Sequence, residues 1–203
     1  MNIAIVKYNA GNIYSVVNAL RRLGVEPNLT DDPEALMKAD KVVFPGQGEA
    51  SSAMEYLRSR NLDRLIKDLT QPVLGICIGQ QLLCSRSEEG DTECLGIFPM
   101  DVKRFQPVSH EDKIPQMGWN SIYNLKTQLF HGITEESRIK ENDYVYFVHS
   151  YYVPLHEEYT IATADFTLPY SAAIHKDNFY ATQFHPEKSG TVGSLILKNF
   201  IDL

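Results

Sequence analysis

With 203 residues, 43% of them apolar, the chain is long enough to bury a core of its own and is expected to form one domain over residues 1–203. Twenty-six acidic against nineteen basic residues leave a formal charge of −7, the wrong sign for a general nucleic-acid binder. No apolar run approaches a membrane span, the opening Met1-Asn2-Ile3-Ala4-Ile5-Val6 has neither a basic leader nor a cleavage site, and the three cysteines lack disulfide or zinc spacing, so free thiols in a reducing cytoplasm are expected.

In chain order, Asn2 to Lys7 reads as a first strand, and Val16, Ala19, Leu20 and Leu23 mark one face of a helix that Gly24 can close. The strand Lys41 to Phe44 runs into Pro45-Gly46-Gln47-Gly48. Pro72 to Ile76 runs into Gly75-Ile76-Cys77-Ile78-Gly79 and a helix through Gln80, Gln81 and Leu82. This alternation predicts an α/β fold: an open, mostly parallel central sheet with helices on both faces. The second half is richer in strands. Tyr144 to Val153, Tyr159 to Ala164, and Tyr170 to His175 paired with Phe179 to Phe184 across Lys176-Asp177-Asn178 predict antiparallel additions or a hairpin. Val192, Leu195, Ile196 and Phe200 give a closing helix from about Thr191 to Asp202.

Two distant segments carry the chemistry. Gly75-Ile76-Cys77-Ile78-Gly79 has the form of a nucleophile elbow, a sharp strand-to-helix turn whose flanking glycines remove side chains that would collide. At a helix start, unpaired N–H groups and the macrodipole favour an anion, which suits a thiolate. A cysteine in an apolar run is more often a small buried residue, and the glycines alter that balance for Cys77; Cys84 and Cys94 lack them and read as structural. His185-Pro186-Glu187 supplies a base and its orienting carboxylate, because residues two apart on an extended backbone project to one side. His149 and His175 have no such neighbour and stand as second choices. Backbone N–H groups of Gly46, Gln47, Gly48 and Ile78 are the natural oxyanion donors.

The elbow through Gln81 and the terminal Phe184-His185-Pro186-Glu187 resemble, in order and spacing, the class I (triad) glutamine amidotransferases. Within that class the chain is similar to the branch formed by the glutaminase subunits of imidazole glycerol phosphate synthases. That similarity rests on Tyr8-Asn9-Ala10-Gly11-Asn12-Ile13-Tyr14-Ser15, Pro115-Gln116-Met117-Gly118-Trp119-Asn120, Tyr146-Phe147-Val148-His149-Ser150-Tyr151 and Gln183 to Gly190. The resemblance implies a flavodoxin-like fold, no cofactor and no metal. It further implies that Cys77 attacks the amide of L-glutamine, His185 moves the proton, Glu187 orients His185, and a glutamyl thioester is hydrolysed to glutamate and ammonia. Gln81, Glu89, Ser150 and Tyr151 are then substrate-binding residues. A separate (β/α)8 cyclase/synthase subunit of histidine biosynthesis is the implied partner, forming a heterodimer across a face that includes Asn12, Met117, Trp119 and Tyr146. Gln116 stands where this block carries histidine in the family.

Other readings are a paralogous glutaminase serving a different synthase, such as one of surface-sugar amidine formation, and a catalytically silent partner-binding subunit. Retention of Cys77, His185 and Glu187 weighs against the silent subunit. A free-standing cysteine peptidase or γ-glutamyl hydrolase would leave the Trp119 block without a job.

Overall fold

A computed structural model of the chain describes residues 1–8, 13–46, 48–110, 112–133 and 144–203. The first half runs β1 (Ile3–Val6), α1 (Ile13–Arg22), β2 (Asn28–Thr30), α2 (Pro33–Met37), β3 (Lys41–Gly46), α3 (Ala50–Ser59), α4 (Leu62–Asp68), β4 (Val73–Cys77) and α5 (Ile78–Leu83). Three short strands follow, β5 (Arg86–Ser87), β6 (Thr92–Glu93) and β7 (Asp101–Arg104). The remainder comprises β8 (Gln116–Ser121), β9 (Tyr144–His149), β10 (Tyr151–Tyr152), β11 (Thr160–Asp165), β12 (Pro169–Lys176), β13 (Phe179–Thr182) and α6 (Gly190–Asp202).

Among the described residues the main sheet has the order β11-β12-β13-β4-β3-β1-β2. Strands β2, β1, β3, β4 and β13 run parallel, and β12 and β11 extend the sheet antiparallel. The apolar runs explain why the parallel part lies inside: a strand covered on both faces has no need of polar alternation. Ile3 and Ile5 pack on one face with α1 and α6, while Ala4 and Val6 pack on the other with α2, α3 and α4. The mixed sheet with helices on both faces is the arrangement that the alternating sequence predicts. Among the described residues no helix is long and apolar enough to cross a membrane.

Two local features differ from the sequence expectation. The run from Tyr144 to Val153 is broken at Ser150, because β9 pairs with β8 whereas β10 pairs with β7 in another sheet. Strand β8 itself has no apolar alternation to betray it; it forms by pairing with β9, with Gln116 opposite His149 and Trp119 opposite Tyr146. The break at Ser150 turns the backbone of Ser150 and Tyr151 toward the C-terminal ends of the parallel strands, where α/β sheets open a crevice.

Candidate active site

β4 ends at Cys77, whose φ of 56° and ψ of −108° are rare for a residue with a side chain. Bare backbone on each side makes this turn feasible. A Cβ at Gly79 would run into the Phe44 carbonyl oxygen, and one at Gly75 would meet Leu83 Cδ1 at 2.9 Å and the Gly79 backbone at 3.0 Å. The helix that follows, α5, is only six residues long, so its dipole is a modest source of stabilisation for an anion at Cys77. Two polar groups approach the sulfur: Cys77 Sγ lies 3.9 Å from the Val148 carbonyl oxygen and 3.7 Å from Gln183 Nε2.

His185 follows β13 and is pinned from β9. Its backbone N–H donates to the Tyr146 carbonyl at 2.9 Å, Tyr146 N–H donates to Ser189 Oγ at 3.0 Å, and that hydroxyl donates to the His185 carbonyl at 2.6 Å. His185 Nδ1 meets Glu187 Oε1 at 2.8 Å, with each side chain only 2% exposed. The local geometry differs from a continued extended strand. His185 is extended, but Pro186–Lys188 form a 3-10 turn, which folds the carboxylate back against the ring.

With Nδ1 engaged by Glu187, Nε2 is the nitrogen free to exchange a proton. Among the described residues no hydrogen bond of good geometry reaches it, yet the Cys77 sulfur lies near enough to act on it both as a charge and as a hydrogen-bonding group. Burial disfavours the charged ring, yet the Cys77 sulfur and the Glu187 carboxylate outweigh it and raise His185 to about 10. This environment favours an imidazolium facing sulfur. His149 behaves oppositely: burial lowers it to about 4 although its Nδ1–H donates to the Tyr151 carbonyl at 2.7 Å. His175 sits at the end of β12 with Nε2 against the Asp177 carbonyl at 2.8 Å, away from the thiol.

Cys77 opens into a cleft of about 440 Å³. Gly48, Ile78, Gln81, Glu89, Ser150 and Tyr151, all singled out by sequence, line it. Gly46 stands opposite Cys77 in the β3–β4 register, tight against Tyr8 and Ile78. Gln47 and Asn12 lie outside the described residues. Glu89 is half-buried and its Oε2 accepts from Ala50 N–H at 2.8 Å; burial raises its carboxyl, and neighbouring Glu49 adds to this.

Tyr146 also lines the cleft, and Trp119 packs edge-to-face on it with ring centroids 5.9 Å apart. Trp119 is 56% exposed and Met117 is 67% exposed, so neither is a core residue of this chain. Gln116 faces inward instead. It is buried and its Oε1 accepts from the Tyr170 hydroxyl at 2.9 Å, which lies 3.4 Å from His149 Nε2. Cys84 and Cys94 are buried away from the cleft. Burial pushes Cys94 up to about 12 and Cys84 well above the ordinary thiol value, so neither forms thiolate near neutrality.

Sequence reasoning missed Gln183, Lys188 and Pro115, which the fold brings to the sulfur or the cleft. Gln183 sits in an apolar strand run with no spacing signal of its own.

The glutamine amidotransferase class-I family model matches residues 4–203. The chain is 59% identical over 203 residues to an imidazole glycerol phosphate synthase subunit HisH of Bacteroides fragilis, covering 100% of each chain. It is 44% identical over 205 residues to the subunit of that name in Escherichia coli, again covering 100% of each. Among solved structures, a glutamine amidotransferase matches with a TM-score of 0.71 and 16% identity, over 98% of this chain and 97% of that one, a likeness of fold.

Proposed function

The chain belongs to the class-I glutamine amidotransferase family, and on that footing we propose that it is the glutaminase subunit of an imidazole glycerol phosphate synthase, supplying ammonia for histidine biosynthesis. The observation that carries this reading is Cys77 on the cleft with the buried His185–Glu187 pair behind it, close enough for the sulfur to act on the His185 ring, and the exposed Trp119 and Met117 on the ribbon that forms the cleft wall. A single amidotransferase domain over residues 1–203 is part of the same reading.

In this mechanism L-glutamine enters with its side-chain amide over Cys77. Sulfur attacks the amide carbon while His185 Nε2 holds the thiol proton, and Glu187 stabilises the imidazolium. The oxygen that becomes negative is met by backbone N–H groups of the Gly46 to Gly48 turn and of Ile78. His185 then gives its proton to the leaving nitrogen, so ammonia departs and a glutamyl thioester remains. Water, deprotonated by His185, hydrolyses the thioester to glutamate. Gln81, Glu89 and the backbone of Ser150 and Tyr151 hold the amino-acid end of the substrate.

The product ammonia needs a consumer that water does not intercept. The amphipathic rings of Trp119 and Tyr146 suit an anchor on a (β/α)8 cyclase/synthase subunit. The test is to co-express this chain with that synthase subunit from the same genome and measure glutamine hydrolysis and product formation. Co-purification as a heterodimer with glutamine-dependent synthesis is expected. A chain that hydrolyses glutamine fully by itself and ignores the synthase would refute the coupling.

A further inference from the structure

The short helix α5 leaves open what else steadies a negative sulfur at Cys77, and the geometry points to Gln183 as a side-chain hydrogen-bond donor to the Cys77 nucleophile. This rests on Cys77 being the nucleophile proposed above. Gln183 is completely buried, and its backbone N–H donates to the Ala172 carbonyl at 2.8 Å, so the side chain has little freedom to choose another direction.

Its amide orientation follows from an unambiguous acceptor. The Tyr151 backbone carbonyl can only accept, so the Gln81 atom lying 3.1 Å from it is the donating Nε2. That same Nε2 lies 3.1 Å from Gln183, which must therefore present Oε1 to Gln81. The other arm of the Gln183 amide, 3.7 Å from Cys77 Sγ, is then the NH2 group. Flipping Gln183 would set two amide nitrogens against each other, so the backbone of Tyr151 fixes the donor on sulfur through two side chains.

A donor at this position has a definite electrical consequence. The Val148 carbonyl oxygen, 3.9 Å from sulfur, can receive the S–H proton but opposes the thiolate. The Gln183 N–H does the reverse, since a hydrogen bond to the charged form favours that form. In a buried site such a charge-assisted bond is stronger than a neutral one. Gln81 thus has a second task besides facing the substrate: it holds Gln183 in the donating orientation.

The experiment is site-resolved alkylation of Cys77 by iodoacetamide over a pH series, alongside glutaminase kinetics with the synthase subunit present. Gln183→Met keeps the shape and removes both polar arms; Gln183→Glu keeps the acceptor for Gln81 and, when ionised, replaces the donor on sulfur with a negative oxygen. In both variants alkylation near neutrality is expected to fall about tenfold, in line with the loss of one hydrogen bond to a charged group, and its pH profile to move upward. With Gln183→Glu, kcat falls while KM for glutamine changes little, because Gln81 keeps its acceptor. A folded Gln183→Met chain with an unchanged alkylation profile, or a loss confined to KM, would overturn the inference. If iodoacetamide leaves Cys77 of the parent chain untouched, the nucleophile assignment fails and this inference with it.

Discussion

His185 and Glu187, two residues apart in sequence, meet through Nδ1 and Oε1 at 2.8 Å inside a wall that hides both side chains from water. A pair that acts as one unit should be non-additive on mutation. Glu187→Gln is expected to slow glutamine turnover less than His185→Ala, and the double variant to be scarcely worse than His185→Ala alone. Steady-state kinetics of the three variants in the presence of the synthase subunit check this. Independent, multiplying losses would count against a shared triad.

Cys77 alone of the three cysteines sits at an elbow and opens into the cleft. Cys77→Ser should abolish glutamine hydrolysis with a thermal melt close to that of the parent, whereas Cys84→Ser should leave hydrolysis intact. Peptide mapping after labelling with a glutamine-derived electrophile should find the adduct on Cys77. Label on Cys84 or Cys94 instead would sink the assignment.

The proposed oxyanion role of the turn at Gly46 and Gly48 is tested by different substitutions at the two glycines. A Cβ at Gly46 would collide with Tyr8 and Ile78, so substitution there perturbs packing. Gly48 has open space around it but a φ of +142°, which a β-branched residue resists. Gly48→Val should therefore lower partner-stimulated turnover while glutamine binding, measured by calorimetry on a Cys77→Ala background, stays near the parent value. Equal loss of binding would assign the turn to substrate contact instead.

Trp119 leans edge-to-face on Tyr146 with more than half of its surface exposed. Large amphipathic residues at an interface centre dominate affinity, so Trp119→Ala should cost about 2 kcal/mol or more of complex stability. Supplying ammonium salt in place of glutamine separates docking from chemistry. The synthase should still form product with the variant present, while glutamine-dependent synthesis falls. Unchanged affinity would remove Trp119 from the partner face.

The buried histidines His149 and His185 give stability opposite pH slopes. Burial lowers His149 to about 4, so the unfolded chain binds more protons as pH drops through 6.5 toward 4, and stability falls on that side. For His185, burial opposes the charge, but Cys77 and Glu187 raise the ring to about 10; the stabilisation is complete below about 6.5 and is lost as pH rises toward 10. Thermal melts across pH should show His149→Gln flattening the acid limb and His185→Gln the alkaline limb. Cys77→Ala should also soften the alkaline limb, since it removes one of the two groups that raise His185.

The sequence alone determined β1, β3 and β4 of the parallel sheet, because they are apolar runs bounded by turn residues, and it marked Cys77 by the glycines that its turn requires; that β2 and β13 join them in parallel was decided by pairing. It marked His185 and Glu187 as partners too, although the turn that joins them is 3-10 rather than extended. Those signals are local: they are written in residues that neighbour one another in the chain. What lay in no local pattern was left to tertiary structure. β8 is too polar to read as a strand and exists by pairing with β9; the break at Ser150 arises because β9 and β10 join different sheets. The polar chain from Tyr151 through Gln81 and Gln183 to Cys77 joins segments 70 and more residues apart. The orientation of its amides is set by a backbone carbonyl, a geometric constraint that no residue spacing records.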